Sequence, residues 1–357
     1  MKRLLVLIFS FFIGLTLVVS CSGQESSGGG ANDNILSVYN WSTYIDPEAV
    51  AQFEKEFGVE VKYDTYENSE DLYAKLQGGN PGYDVIFPSD YMVEIMIAED
   101  MLETLNLDNI PNTQNVDPTF LDPPYDPGNQ YSLPYQWGTM GIGYNIKATG
   151  GEIDSWSALF DPKYEGRVAL LDDVRATLGV ALLSLGYELN TTNPDEIAEA
   201  KDFLIENGDA IAAFAPDTGQ ILLSQGEVDL TVEWSGDIFQ VMEENPDLRY
   251  VIPKEGTMVW VDAMAIPKDA PHQQLAEKFI NFILEPEVGA KVSNFIQFAT
   301  PNKAAVDKGL INAEDLQDPG IYPTAETFAR LQYLVDVGEA TPLYDQAWTE
   351  VKVGVSK

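Results

Sequence analysis

The chain has 357 residues with 57 Asp plus Glu against 20 Lys plus Arg, a formal net charge of −37. Nucleic acids and anionic headgroups are held by clustered Lys and Arg, so this balance excludes them as partners and favours cations or basic surfaces. A single cysteine, Cys21, and a single histidine, His272, exclude a disulfide framework, a zinc site and a His-dependent triad.

At the start, Met1-Lys2-Arg3 precedes an apolar run from Leu4 to Val19 and a small-residue exit, Ser20-Cys21-Ser22-Gly23. This is the order of a signal peptide. Val18-Val19-Ser20-Cys21 resembles the bacterial lipobox, which implies cleavage after residue 20 and a lipid on Cys21. Residues 22–34 are small, polar and Gly-rich, the composition of a flexible tether. Cleavage removes Lys2 and Arg3 and no acid, leaving 18 − 57 = −39.

The chain is 45% hydrophobic with 6 Trp, 17 Tyr and 16 Phe, ample for a core, and its length suggests two domains. Leu36–Tyr39 reads as a strand. Asp46-Pro47-Glu48 supplies a cap, a first-position proline and an early acid for a helix over 47–57 that stops at Gly58. Val59, Val61, Tyr63 and Thr65 alternate with polar residues as in a strand; Ser69 opens the next helix and Tyr83–Pro88 forms the third strand. Residues 112–134 read as a long Pro/Asn/Asp-rich surface loop, whose DPPYDPGN segment is turn chemistry and not a calcium loop. A second run follows: strand 167–171, helix 176–185 with Asp172 as its cap, strand 228–234, a hairpin around Lys254-Glu255-Gly256, and an amphipathic helix 272–284. Strands alternating with helices at this spacing predict an α/β fold with a mostly parallel sheet.

In open α/β sheets ligands bind beyond the carboxyl ends of strands. That filter selects Trp41 and Tyr44, Ser89, Asp90 and Tyr91, Asp172 and Asp173, and Trp234 and Asp237. It also takes in Trp260 and Asp262 on the strand leaving the hairpin. Carboxylates and aromatic faces with hardly a cation suit a ligand with cationic ends and an apolar middle, such as a linear polyamine. No GxSxG, P-loop or HExxH is present, so no enzyme, cofactor or metal site is expected.

From Leu36 onward the sequence resembles the extracytoplasmic spermidine/putrescine-binding proteins of ABC transporters. The blocks that carry the resemblance are YNWSTYI (39–45), YDVIFPSDY (83–91), LPYQWGTMGIGYN (133–145), EWSGDIF (233–239), VIPKEGTMVWVDAMAIP (251–267) and ATPNKAA (299–305). The resemblance implies a two-lobe periplasmic-binding-protein fold of type II kind, each lobe a mixed, mostly parallel sheet flanked by helices. One lobe would comprise 35–138 plus 261–306 and the other 139–260 plus 307–357, with the ligand between them. It further implies a monomer, anchored outside the membrane through Cys21, that captures putrescine or spermidine and delivers it to a permease. The same cleft holding another organic cation is the alternative.

Residue by residue, Trp41, Tyr44, Trp234 and Trp260 would wall the methylene chain. Ser42 belongs to the same first block, Ser89 and Tyr91 would hydrogen-bond near one end, and Asp173, Asp237 and Asp262 would receive ammonium groups. Thr43 and Ala176 stand where spermidine-preferring members carry acids, Phe298 where they carry Tyr, and Leu334 at or near a Gln position. This points toward the shorter diamine, unless Asp90, Asp172 or Glu233 supplies an acid.

Overall fold

The computed structural model describes residues 34–216 and 218–355, and residues 34–357 form one compact unit. The signal segment, Cys21 and the tether lie outside the described residues. Among the described residues no helix is long and apolar enough to cross a membrane.

Alternation along Ile35–Trp41 (β1) buries Leu36 and Val38, and the strand pairs in parallel with Glu60–Tyr66 (β2), from Ile35 opposite Glu60 to Trp41 opposite Tyr66. Between them runs the helix Pro47–Phe57. The Asp46 side chain accepts the Glu48 N–H at 2.8 Å at its start, and Gly58 ends it at φ +68°, a left-handed cap that glycine adopts without strain.

The remaining strands are Val85–Ile86 (β3), Ser132–Asn145 (β4), Val168–Leu171 (β5), Ile211–Ala215 (β6), Leu230–Trp234 (β7), Leu248–Val251 (β8), Thr257–Ala265 (β9) and Leu331–Tyr333 (β10). They form one mixed sheet in the order β2-β1-β3-β9-β4-β7-β5-β6, with β10 beside β9 and β8 beside β4. The pairs within β2-β1-β3 and β7-β5-β6 are parallel, whereas β4 and β9 run antiparallel to their main neighbours. Strand β4 spans both halves of the sheet: Ser132–Thr139 pairs with β9, and Met140–Asn145 pairs with β7 and β8.

Two expectations are corrected. The segments around Lys254–Gly256 do not form a hairpin, because β4 is long enough to offer β8 and β9 separate stretches of its length. The turn between them is drawn aside, with Lys254 N donating to the Asp154 carbonyl and Trp156 Nε1 to that of Gly256, both at 2.9 Å. Asp172 is not the cap of the helix Val174–Leu185. That role falls to Asp173, whose carboxylate accepts the Ala176 N–H at 2.7 Å, while Asp172 pairs with Lys352 at 2.5 Å.

The loop expected over 112–134 is built from turns, including the 3-10 segments Pro111–Asn115 and Pro118–Phe120, but it ends at Tyr131, because Ser132–Pro134 already pair with β9. Its buried Asp126 accepts the backbone N–H groups of Gln130, Tyr131 and Ser132, and the Ser132 hydroxyl. The carboxylate is thereby committed to the loop's own backbone.

Candidate functional site

Four strand ends converge on one cleft. Trp41 ends β1 and Ser42 and Tyr44 follow it, beyond β3 lie Ser89, Asp90 and Tyr91, beyond β5 lies Asp173, and Trp234 ends β7 with Asp237 after it. Strand β9 crosses the floor with Met258, Trp260 and Asp262, spaced by two so that all three face the same way. Ser69, Phe298 and Leu334 complete a wall enclosing about 540 Å³ out to its mouth. Of the residues selected from sequence, Thr43 and Asp172 stay off these walls.

The aromatic side chains form a box. Trp260 meets Phe298 edge-on at 5.2 Å, Trp234 at 6.0 Å and Tyr44 at 6.3 Å, and Tyr44 meets Phe298 at 5.2 Å. Such edge-to-face contacts fix ring orientation as well as adding dispersion. Close approach requires two glycines: a Cβ at Gly138 would sit 2.6 Å from the Trp260 ring, and one at Gly236 would sit 2.4 Å from Phe298. Trp41 is aimed by its Nε1–H, which donates to the Phe87 carbonyl at 2.9 Å, an oxygen that also accepts the Tyr66 hydroxyl at 2.6 Å. Trp260 Nε1 has no hydrogen-bond partner among the described residues although Trp260 is only 7% exposed, so a buried donor is left unsatisfied.

Four carboxylates line the same space, and no Lys or Arg does so among the described residues. Asp237 (5% exposed) sits in the first turn of the helix Ser235–Glu244, and Asp173 caps the helix Val174–Leu185. The positive end of each helix dipole favours a carboxylate there. Burial nevertheless pushes Asp173 above the usual carboxylate range, against the lowering effect of the Ala176 N–H and Arg175 and with the raising effect of Asp172. Asp90 (2% exposed) is pushed up to about 7 by burial, even though its oxygens accept the N–H groups of Tyr91 and Val261. Asp262 lies beside the Tyr44 phenol, which burial and then the Asp262 charge hold well above its ordinary value. Tyr91 is raised in the same way, by burial first and then by Glu70 and Asp173. Ser69 and Ser89 approach each other, Oγ to Oγ, at 3.3 Å.

Ser69 and Met258 had not been singled out from sequence. Met258 was within reach of the two-residue strand period that links Trp260 to Asp262. Ser69 follows the carboxyl end of β2. Leu334 lines the cleft where the resemblance implies a Gln position, and Asp90 lines it as an additional acid.

The chain matches the family of bacterial extracellular solute-binding proteins over residues 48–324. The spermidine/putrescine-binding periplasmic protein of Salmonella typhimurium is 39% identical over 334 residues, covering 93% of this chain and 95% of that one. Among solved structures, the spermidine/putrescine ABC transporter substrate-binding protein PotD of Streptococcus pneumoniae superposes with a TM-score of 0.76 at 36% identity, covering 90% of this chain and 100% of that one. The Tp0655 (TpPotD) lipoprotein of Treponema pallidum gives a TM-score of 0.78 at 31% identity, over 89% and 99% of the two chains. A two-lobe α/β fold is the architecture these proteins share with it. The chain belongs to the bacterial extracellular solute-binding proteins.

Proposed function

We propose that this protein captures a linear polyamine, putrescine or spermidine, outside the membrane and delivers it to an ABC transporter permease. The observation that carries the reading is the composition of the cleft: Asp90, Asp173, Asp237 and Asp262 among aromatic faces, with no cationic side chain on its walls among the described residues. A carboxylate about 4 Å from an ammonium group gains roughly 4 kcal/mol at an effective dielectric near 20, an aromatic face about 0.5 to 2, and four buried methylenes roughly 3. A flexible diamine draws on all three. The names of the relatives, which specify spermidine and putrescine, agree with this chemistry.

Within this reading Trp41, Tyr44, Trp234, Trp260 and Phe298 wall the methylenes, and Ser42, Ser89 and Tyr91 hydrogen-bond at the rim and one end. Asp173, Asp237 and Asp262 receive ammonium groups. The lobes comprise 35–138 plus 261–306 and 139–260 plus 307–357; the change of partner along β4 between Thr139 and Met140 supports a crossing there. The protein acts as a monomer, held to the membrane through a lipid on Cys21.

A thermal-shift screen with putrescine, spermidine, spermine, choline, amino acids and calcium tests the ligand class, since a ligand bound only by the native state raises Tm by mass action. Putrescine and spermidine should give the largest shifts, with putrescine binding at least as tightly as spermidine in a competition titration. A shift with choline alone would assign the cleft to another organic cation. For the anchor, Cys21→Ser in the full chain should move the protein from the membrane to the soluble fraction. Retention of the variant on the membrane would refute lipidation at Cys21.

A further inference from the structure

Thr43 is the one residue of the Trp41–Tyr44 turn that does not face the ligand space. Its backbone lies in the left-handed region, at φ +49°, where a β-branched residue is an outlier that costs on the order of 1 to 3 kcal/mol. Such a conformation persists only where its surroundings hold it. The turn lays Trp41 and Tyr44 on the wall on either side and leaves Thr43 exposed at the rim. From there its Oγ1 donates to Asp237 Oδ1 at 3.2 Å, joining the turn after β1 to the helix after β7 across 194 residues of sequence.

We infer that Thr43 is a latch: its hydroxyl ties the two walls of the cleft together over the Asp237 end and so sets how long a bound ligand stays. The inference rests on the reading of the cleft as a cation-binding site, in which Asp237 is one of the acids that takes an ammonium group. A neutral donor at position 43 holds Asp237 in place without adding charge. It also closes the space beyond that acid, so the bound chain ends there.

The test uses residues 34–357, the compact unit. Thr43→Val preserves shape and β-branching, hence the backbone strain, and removes only the donor. In stopped-flow binding with putrescine, Thr43→Val should raise the off-rate roughly tenfold, as loss of a hydrogen bond to a charged group does, while the on-rate changes by less than about threefold. Thr43→Ser, which restores the hydroxyl, should bring the off-rate back toward that of the parent. An unchanged off-rate in Thr43→Val overturns the latch.

A second measurement needs no ligand and separates this proposal from the assignment of the polyamine. Dyes on Lys62→Cys and Lys163→Cys, exposed positions toward opposite ends of the sheet, report cleft closure by single-molecule FRET. Thr43→Val should shift the population toward longer distances, Asp237→Ala, which removes the acceptor, should do the same, and the double variant should shift it no further. Should no polyamine bind the parent protein, the functional reading fails, and the FRET shift still decides the latch. Identical distance distributions in parent and Thr43→Val overturn it.

Discussion

Replacing Asp262 by asparagine is expected to weaken polyamine binding by about 2 to 4 kcal/mol, the usual effect of removing one partner from a buried hydrogen-bonded charge pair. Asp262 is 6% exposed, sits on the floor of the cleft in β9, and shares its face with Trp260 and Met258. An isolated bridge between its backbone and Ser89 fixes it against the turn that begins the helix Asp90–Ala98. Strand and bridge together leave the side chain little freedom to move away from the lumen. Asparagine keeps the volume and one acceptor oxygen, so packing against Tyr44 should survive and the loss should report charge. Isothermal titration with putrescine checks this, with circular dichroism to show that the fold is intact. An affinity within about twofold of the parent would remove Asp262 from the ammonium-binding set.

The elements legible in sequence were those whose signals are local. Asp46-Pro47 and Gly58 bound the first helix because caps and prolines act through the backbone of their own residues. The strand-end filter brought Trp41, Ser89, Asp173 and Trp234 to one place because parallel α/β topology, and no particular contact, puts strand ends together. What depends on pairing between distant segments was not legible. The alternation of apolar residues in Tyr250–Pro253 and Met258–Pro267 fits a hairpin as well as the separate pairings both segments make along β4, and only the 14-residue length of β4 decides between them. Asp172 and Asp173 are interchangeable as cap candidates in sequence. Lys352, 180 residues away, takes the first, and the second is left to the helix and the cleft. The role of Thr43 was hidden for the same reason: a missing acid is visible in sequence, but a bridge to Asp237 is not.

Polyamine affinity should rise with pH between about 5.5 and 7.5, and binding near pH 6.5 should release protons. The cause is Asp90, which lines the cleft and is held up to about 7 by burial, with Asp173 raised in the same direction. The sign follows from linkage. Below its folded pKa Asp90 carries a proton that an unfolded carboxyl, with its ordinary value of 3.8, has already lost. Its burial therefore contributes stability fully present below that ordinary value, and this contribution is lost as pH rises through 7. The unliganded protein should thus become less stable across this interval as a carboxylate is forced to ionise out of water. A cationic ligand binds the ionised form preferentially and pulls the pKa back down, so affinity gains up to tenfold per pH unit for one proton released below pH 7. From pH 5.5 to 7.5 the gain for a single group is about 25-fold. Calorimetry in two buffers of different ionisation enthalpy measures the proton count directly. Asp90→Asn keeps one acceptor, for the Tyr91 N–H, puts an amide N–H2 opposite the Val261 N–H and cannot titrate, so it should flatten the pH profile and remove the fall in Tm of the unliganded protein between about pH 4 and 7. A profile for Asp90→Asn as steep as that of the parent would mean that another group carries the coupling, and a flat parent profile with no proton release would mean that the cleft acids are already ionised before the ligand arrives.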